Sequence, residues 1–134
     1  MSEDIVNPKR YTHTKLECWD FWIKAGLNPL VASAVKYVWR YKYKNGLEDL
    51  KKAEVFLTKA QQAMLFVYCS EKNYELKEED VKDGLDETQI LFLRGAIETN
   101  TYSTYYSGTQ IMEYALNQLI KEYELHNDLS LIHI

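Results

Sequence analysis

Between Asn28 and Gly46 the chain reads NPLVASAVKYVWRYKYKNG, with apolar residues at Val31, Ala34, Val35, Val38 and Trp39. Steps of three and four are the period of a helix that buries one face. Asn28 is suited to cap its start, and Pro29 falls at the first helical position, where a missing N–H breaks no hydrogen bond. Asn45-Gly46 ends it, because glycine enters the left-handed backbone that closes helices. No segment offers a convincing strand pair. The predicted class is therefore all-α: a compact bundle of four to five helices with short connections.

The other elements follow by the same signals. Thr14-Lys15-Leu16-Glu17 has capping-box spacing and predicts a short helix to about Lys24, ending at Gly26. Its Leu16, Trp19, Phe21, Trp22 and Ile23 are apolar nearly all round, which predicts burial. A third helix opens on Glu48 and Asp49 and carries Leu50, Ala53, Leu57, Ala60, Met64 and Val67 to about Cys69. The charged stretch 70–83 reads as a solvated connection with one helical turn near Glu78 to Lys82. Asp86 caps a fourth helix through Ile97. The segment 98–108, with three tyrosines, has no helical pattern, and a last helix runs from about Thr109 to His126. The tail 127–134 has no period and, like the arm 1–13, lies outside the core.

A chain of 134 residues is one domain by size, large enough to bury a core without metal or disulfide staples. Cys18 and Cys69 are too few and too far apart for a disulfide framework or zinc site, and the three histidines lack metal-ligand spacing, so no metal site is expected. No apolar run approaches the roughly 18 residues of a membrane span, and the N-terminus lacks a signal-peptide core, so a cytoplasmic protein without a membrane partner is expected. The net charge of −4 argues against nucleic acid as the main partner.

Charge is unevenly spread. The segment 36–52 holds six of the sixteen Lys and Arg but only two of the twenty acids, so it carries +4 and the remainder −8. A basic island in an acidic chain suits an anionic ligand, phosphate above all. Helical period aligns Ser33, Lys36, Tyr37, Arg40 and Lys44 on one stripe beside the core face, with Lys52 on the next helix. Glu48 stands four before Lys52. Asp20, an acid between Trp19 and Phe21, calls for a partner, for which Arg40 or Lys36 is the candidate. Tyr11 and Tyr37 are candidates for stacking on a base, or for packing.

The stretch NPKRYTHTKLECWDFW followed by ASAVKYVWRYKYKNGLEDLKKAEVFL resembles the SaV-like family of small phage proteins, a domain of unknown function related to the nucleotide kinase of T-odd coliphages. The resemblance rests on Tyr11, Glu17, Cys18 and Asp20, then Ala34, Val35, Lys36, Tyr37, Trp39 and Arg40, then Glu48 to Ala53. It spans residues 7–57. Arg10 stands where the pattern has His, and Ala32-Ser33 where it has Gly-Asn. The resemblance implies a host-cytoplasmic protein binding a (deoxy)nucleotide. The implied chemistry is phosphoryl transfer to a nucleoside monophosphate, with a nucleoside triphosphate as donor and Mg²⁺ as its usual companion. Lys36, Arg40 and Asp49 are then the expected catalytic residues, and Tyr11, Asp20, Ser33, Tyr37, Glu48 and Lys52 the substrate-binding ones. No phosphate-binding P-loop motif is present.

Two other classes compete. All-α nucleotide pyrophosphohydrolases hold Mg²⁺ between paired carboxylates, and Glu17/Asp20 with Glu48/Asp49 imitate half of that pattern. A non-enzymatic helical protein would sequester nucleotides or bind a host protein. The C-terminal helices offer a surface for self-association.

Overall fold

The computed structural model describes residues 14–63 and 69–132. They form five α helices: α1 Cys18–Ala25, α2 Pro29–Arg40, α3 Leu47–Ala63, α4 Glu87–Glu98 and α5 Tyr105–Ile132. Short 3-10 turns lie at Glu78–Asp80 and Tyr102–Thr104, and no strand occurs among the described residues. The fold is all-α, as the periodicity requires. Two helical hairpins, α2–α3 and α4–α5, pack on each other through α3 against α5 and α2 against α4, while α1 lies on α2.

Helix α2 follows its sequence signals closely. The Asn28 side chain accepts from the Val31 N–H at 3.0 Å with Pro29 at the first position, and Val31, Ala34, Val35, Val38 and Trp39 are fully buried. The helix ends at Arg40, and a turn carries the chain to Gly46, whose φ of +55° is the left-handed backbone expected there. Gly26 closes α1 in the same way, at φ +66°. Asp86 and Gln89 form a complete capping box: the Asp86 carboxylate accepts from the Gln89 N–H, and the Gln89 side chain accepts from the Asp86 N–H. The buried Gln89 amide also donates to the Val38 carbonyl at 2.9 Å, satisfying an acceptor in the last turn of α2.

Four expectations need correction. The Thr14–Glu17 capping box does not form: Thr14 donates to the Leu16 carbonyl, while Glu17 sits at the α1 N-cap and accepts from the Trp19 indole at 2.6 Å. Nor is α1 buried all round, since Trp19 and Ile23 are 40% and 65% exposed; Cys18, Phe21 and Ala25 are buried, and Trp22 is partly buried against the core. The 70–83 connection is anchored as well as solvated. Leu76 and Val81 enter the core, and the Leu16 N–H donates to the Asp80 carbonyl at 2.9 Å.

Finally, α5 begins at Tyr105 and its backbone continues to Ile132, longer at both ends than periodicity suggested. The early start has a packing cause. Tyr105 is buried and donates to the Ala60 carbonyl of α3 at 2.8 Å, while Gly108 sits against Gly95 of α4. A Cβ on Gly108 would lie 2.7 Å from the Gly95 carbonyl oxygen, and one on Gly95 would lie 2.9 Å from that of Gly108. The α4–α5 crossing thus uses missing side chains to bring backbones together. The expected third-helix residues Met64 and Val67 lie outside the described residues, as do Arg10, Tyr11, His13 and His133.

Gly108→Ala should destabilise the fold by about 2–3 kcal/mol, because the contact is with backbone that cannot rotate away. Urea denaturation checks this, and a loss below about 0.5 kcal/mol would contradict the close crossing.

Candidate functional site

The basic stripe gathers around Tyr37. Its ring has the Lys36 ammonium 4.5 Å, the Arg40 guanidinium 4.8 Å and the Lys52 ammonium 5.6 Å from its centroid. Cations at such distances are attracted by the negative face of an aromatic ring. Phe56 of α3 stacks on Tyr37 at 5.8 Å and 19°, so one face is already occupied by protein. Helix α2 supplies Lys36, Tyr37 and Arg40 within about one turn, and α3 brings Lys52 and Phe56 opposite. Ser33 is half-buried at the head of the same stripe.

The three cations are not equivalent. Arg40 is 9% exposed, and its Nη2 donates to Asp49 Oδ1 at 3.2 Å. Asp49 is fully buried, and its other oxygen accepts from the Asn45 N–H at 3.2 Å. Sequence position suggested an acid complementing the start of α3; the structure shows an internal acid holding α2, the turn and α3 together. Because it is enclosed and engaged on both oxygens, Asp49 acts on Arg40 and the turn. Lys36 and Lys52 are half-buried, with Lys52 in a 3.4 Å pair with Glu48 at the spacing of four expected on a helix. They are the cations of the cluster available to an incoming anion.

Asp20 is exposed on α1, and Arg40 takes Asp49 as its carboxylate instead. The four acids of the Mg²⁺ arrangement are likewise dispersed in their engagements: Glu17 with Trp19, Glu48 with Lys52, Asp49 with Arg40. Among the described residues no three His, Cys, Asp or Glu side chains gather where a metal could sit. Cys18 lies within the field of Lys36 and Arg40, which would favour a thiolate, yet burial outweighs them and pushes the thiol well above its ordinary range. It is a core residue of α1.

A concave feature lies beyond the stripe. A groove of about 770 Å³ is bounded by the turn residues Tyr41, Lys42, Lys44, Asn45 and Gly46, by Asp86, and by Glu122, Tyr123 and His126 of α5. Lys44, aligned with Lys36 and Arg40 by helical period, belongs to this groove because α2 stops at Arg40 and the chain turns. The structure therefore divides the basic island between two places. Sequence reasoning missed the α5 contribution, for Tyr123 meets the turn only through tertiary packing: a Cβ on Gly46 would collide with its hydroxyl.

Residues 5–58 match a family described as a protein of unknown function, DUF3310. The match takes in α1, α2 and most of α3, and stops before α4 and α5. Searches of curated proteins and of solved structures return no match to the chain. No helix among the described residues is long and apolar enough to cross a membrane.

Removing one member of the buried pair leaves the other charge enclosed. Asp49→Ala should cost about 3–5 kcal/mol, whereas the double change Arg40→Met with Asp49→Leu should recover most of it. Equal losses in the single and double variants, measured by urea denaturation, would show that the pair is not the brace described here. Native Cys18 should resist iodoacetamide at pH 8 and react in urea. Its raised folded value makes its stability contribution full below about pH 9.0, the ordinary value, and declining above it as the unfolded thiol ionises.

Proposed function

We propose that the Tyr37 cluster binds the phosphate of a nucleotide, and that the chain is a nucleotide kinase or a diverged relative without a P-loop. The observation that carries the reading is the convergence of Lys36, Arg40 and Lys52 on one aromatic ring, in a chain whose remainder is acidic. Phosphoryl transfer asks chiefly for positioning and positive charge around the moving group. The SaV-like resemblance over residues 7–57 supplies the nucleotide and the phage setting, and it runs over nearly the stretch that matches DUF3310. In this reading Lys36 and Lys52 contact phosphate, Arg40 adds fixed positive charge behind them, and Asp49 holds Arg40 in place. Tyr37 and Ser33 line the site, Glu48 competes with phosphate for Lys52, and Tyr11 and Asp20 are further candidate contacts. A nucleoside triphosphate is the donor, with Mg²⁺ on its phosphates.

A second reading, a non-catalytic nucleotide binder, is favoured by one observation: Asp49, the expected catalytic acid, is enclosed and engaged on both oxygens. The two readings share the ligand and differ in turnover.

Calorimetric titration of the full chain with deoxynucleoside mono-, di- and triphosphates, with and without Mg²⁺, tests the shared part. Lys36→Ala and Lys52→Ala should each weaken binding about two- to fivefold, as expected for a solvent-exposed ion pair. Glu48→Gln, which frees Lys52, should tighten it by up to about twofold. Absence of binding at millimolar nucleotide would reject both readings; binding without conversion of monophosphate to diphosphate would leave the binder.

A further inference from the structure

We infer, on the phosphate reading above, that Tyr37 is a positioning residue: its ring holds the Lys36 and Lys52 ammoniums in place for the anion, and the base of a bound nucleotide does not stack on it. A base stacks on an aromatic side chain by lying against an open ring face. The contacts of Tyr37 are already taken. Phe56 stacks on it at 5.8 Å and 19°, and both rings are partly buried against the core, so neither swings aside without repacking. Three cations lie over the same ring, Lys36 at 4.5 Å, Arg40 at 4.8 Å and Lys52 at 5.6 Å from its centroid. Arg40 cannot leave to admit a base, because the enclosed Asp49 carboxylate holds its guanidinium at 3.2 Å.

What the ring does instead follows from the lysines. A lysine side chain turns about several bonds, and an ammonium left in water must be ordered when a phosphate binds. Lys36 and Lys52 stand on different helices, α2 and α3, and the Tyr37 ring lies within reach of both. Its negative face attracts each ammonium without neutralising it. A carboxylate in that place would cancel the charge the anion needs. Lys52 has both kinds of partner: Glu48 at 3.4 Å, which an anion must displace, and the ring, which it need not. Phe56, stacked on Tyr37 from α3, braces the ring between the two lysines.

Calorimetric titration of the full chain with inorganic pyrophosphate and with the common deoxynucleoside diphosphates separates a holder of cations from a platform for the base. Tyr37→Leu should raise Kd for pyrophosphate about three- to fivefold and Kd for every diphosphate by the same factor, while Tyr37→Phe, which keeps the ring, should change neither. In a Lys52→Met background the loss from Tyr37→Leu should shrink to about twofold, because one of the ammoniums it holds is gone; a loss from disturbed packing alone would be undiminished. In the wild-type complex, where no variant has to fold, Overhauser contacts between base protons and the Tyr37 ring should be absent. Base-to-ring contacts, a Tyr37→Leu that weakens the nucleotides and spares pyrophosphate, or an undiminished loss beside Lys52→Met would each overturn this role and leave the phosphate reading standing. Failure of the wild type to bind pyrophosphate or any of the nucleotides at millimolar concentration would remove the phosphate reading and this role with it.

Discussion

The Asp49 carboxylate, fully enclosed and shared between the Arg40 guanidinium and the Asn45 N–H, is the contact on which the arrangement of this chain depends. One oxygen ties α3 to the end of α2 and the other ties it to the turn between them. Burying a charge pair gains little net stability, since lost hydration offsets the attraction. What it supplies is placement. Arg40 is fixed beneath the Tyr37 ring, and the backbone at 45–46 is fixed as the floor of the groove. An apolar pair of equal volume would pack as well and would fix neither.

The second hairpin completes what the first begins. Gly95 and Gly108 let α4 and α5 approach through their backbones, and the Asp86–Gln89 capping box starts α4 where Gln89 can reach the Val38 carbonyl. Once α5 is set at that distance, Tyr105 bonds to α3 near its start and Tyr123 covers Gly46 near its other end. The matched family segment ends at residue 58, so the groove is built from elements on both sides of that limit, whereas the Tyr37 cluster lies wholly inside it.

Charge is distributed with the same logic. Where Lys or Arg is close to an acid, the pair is either enclosed and structural, as Arg40 with Asp49, or partly solvated and exchangeable, as Lys52 with Glu48 and Lys42 with Asp86. Exchangeable pairs cost little to separate, because water and salt already screen them. Cations in such pairs can exchange partners without unfolding anything. Arg40 cannot, because the enclosed Asp49 carboxylate holds it.

The sequence by itself determined the helices and much of their punctuation. Asn28-Pro29, Asn45-Gly46 and Asp86 mark boundaries through interactions spanning a few residues, and the core face of α2 follows from period alone. It also identified Lys36, Tyr37 and Lys52 as neighbours, since two adjacent helices joined by one short turn leave few alternatives. Tertiary structure alone decided that Asp49 is internal, that Asp20 faces water, that α5 begins at Tyr105, and that Lys44 joins residues of α5 in a groove. Each of those depends on burial or on a contact between segments far apart in the chain. The same side chain at the same local spacing can face solvent or core, and only the packing of the two hairpins chooses between them.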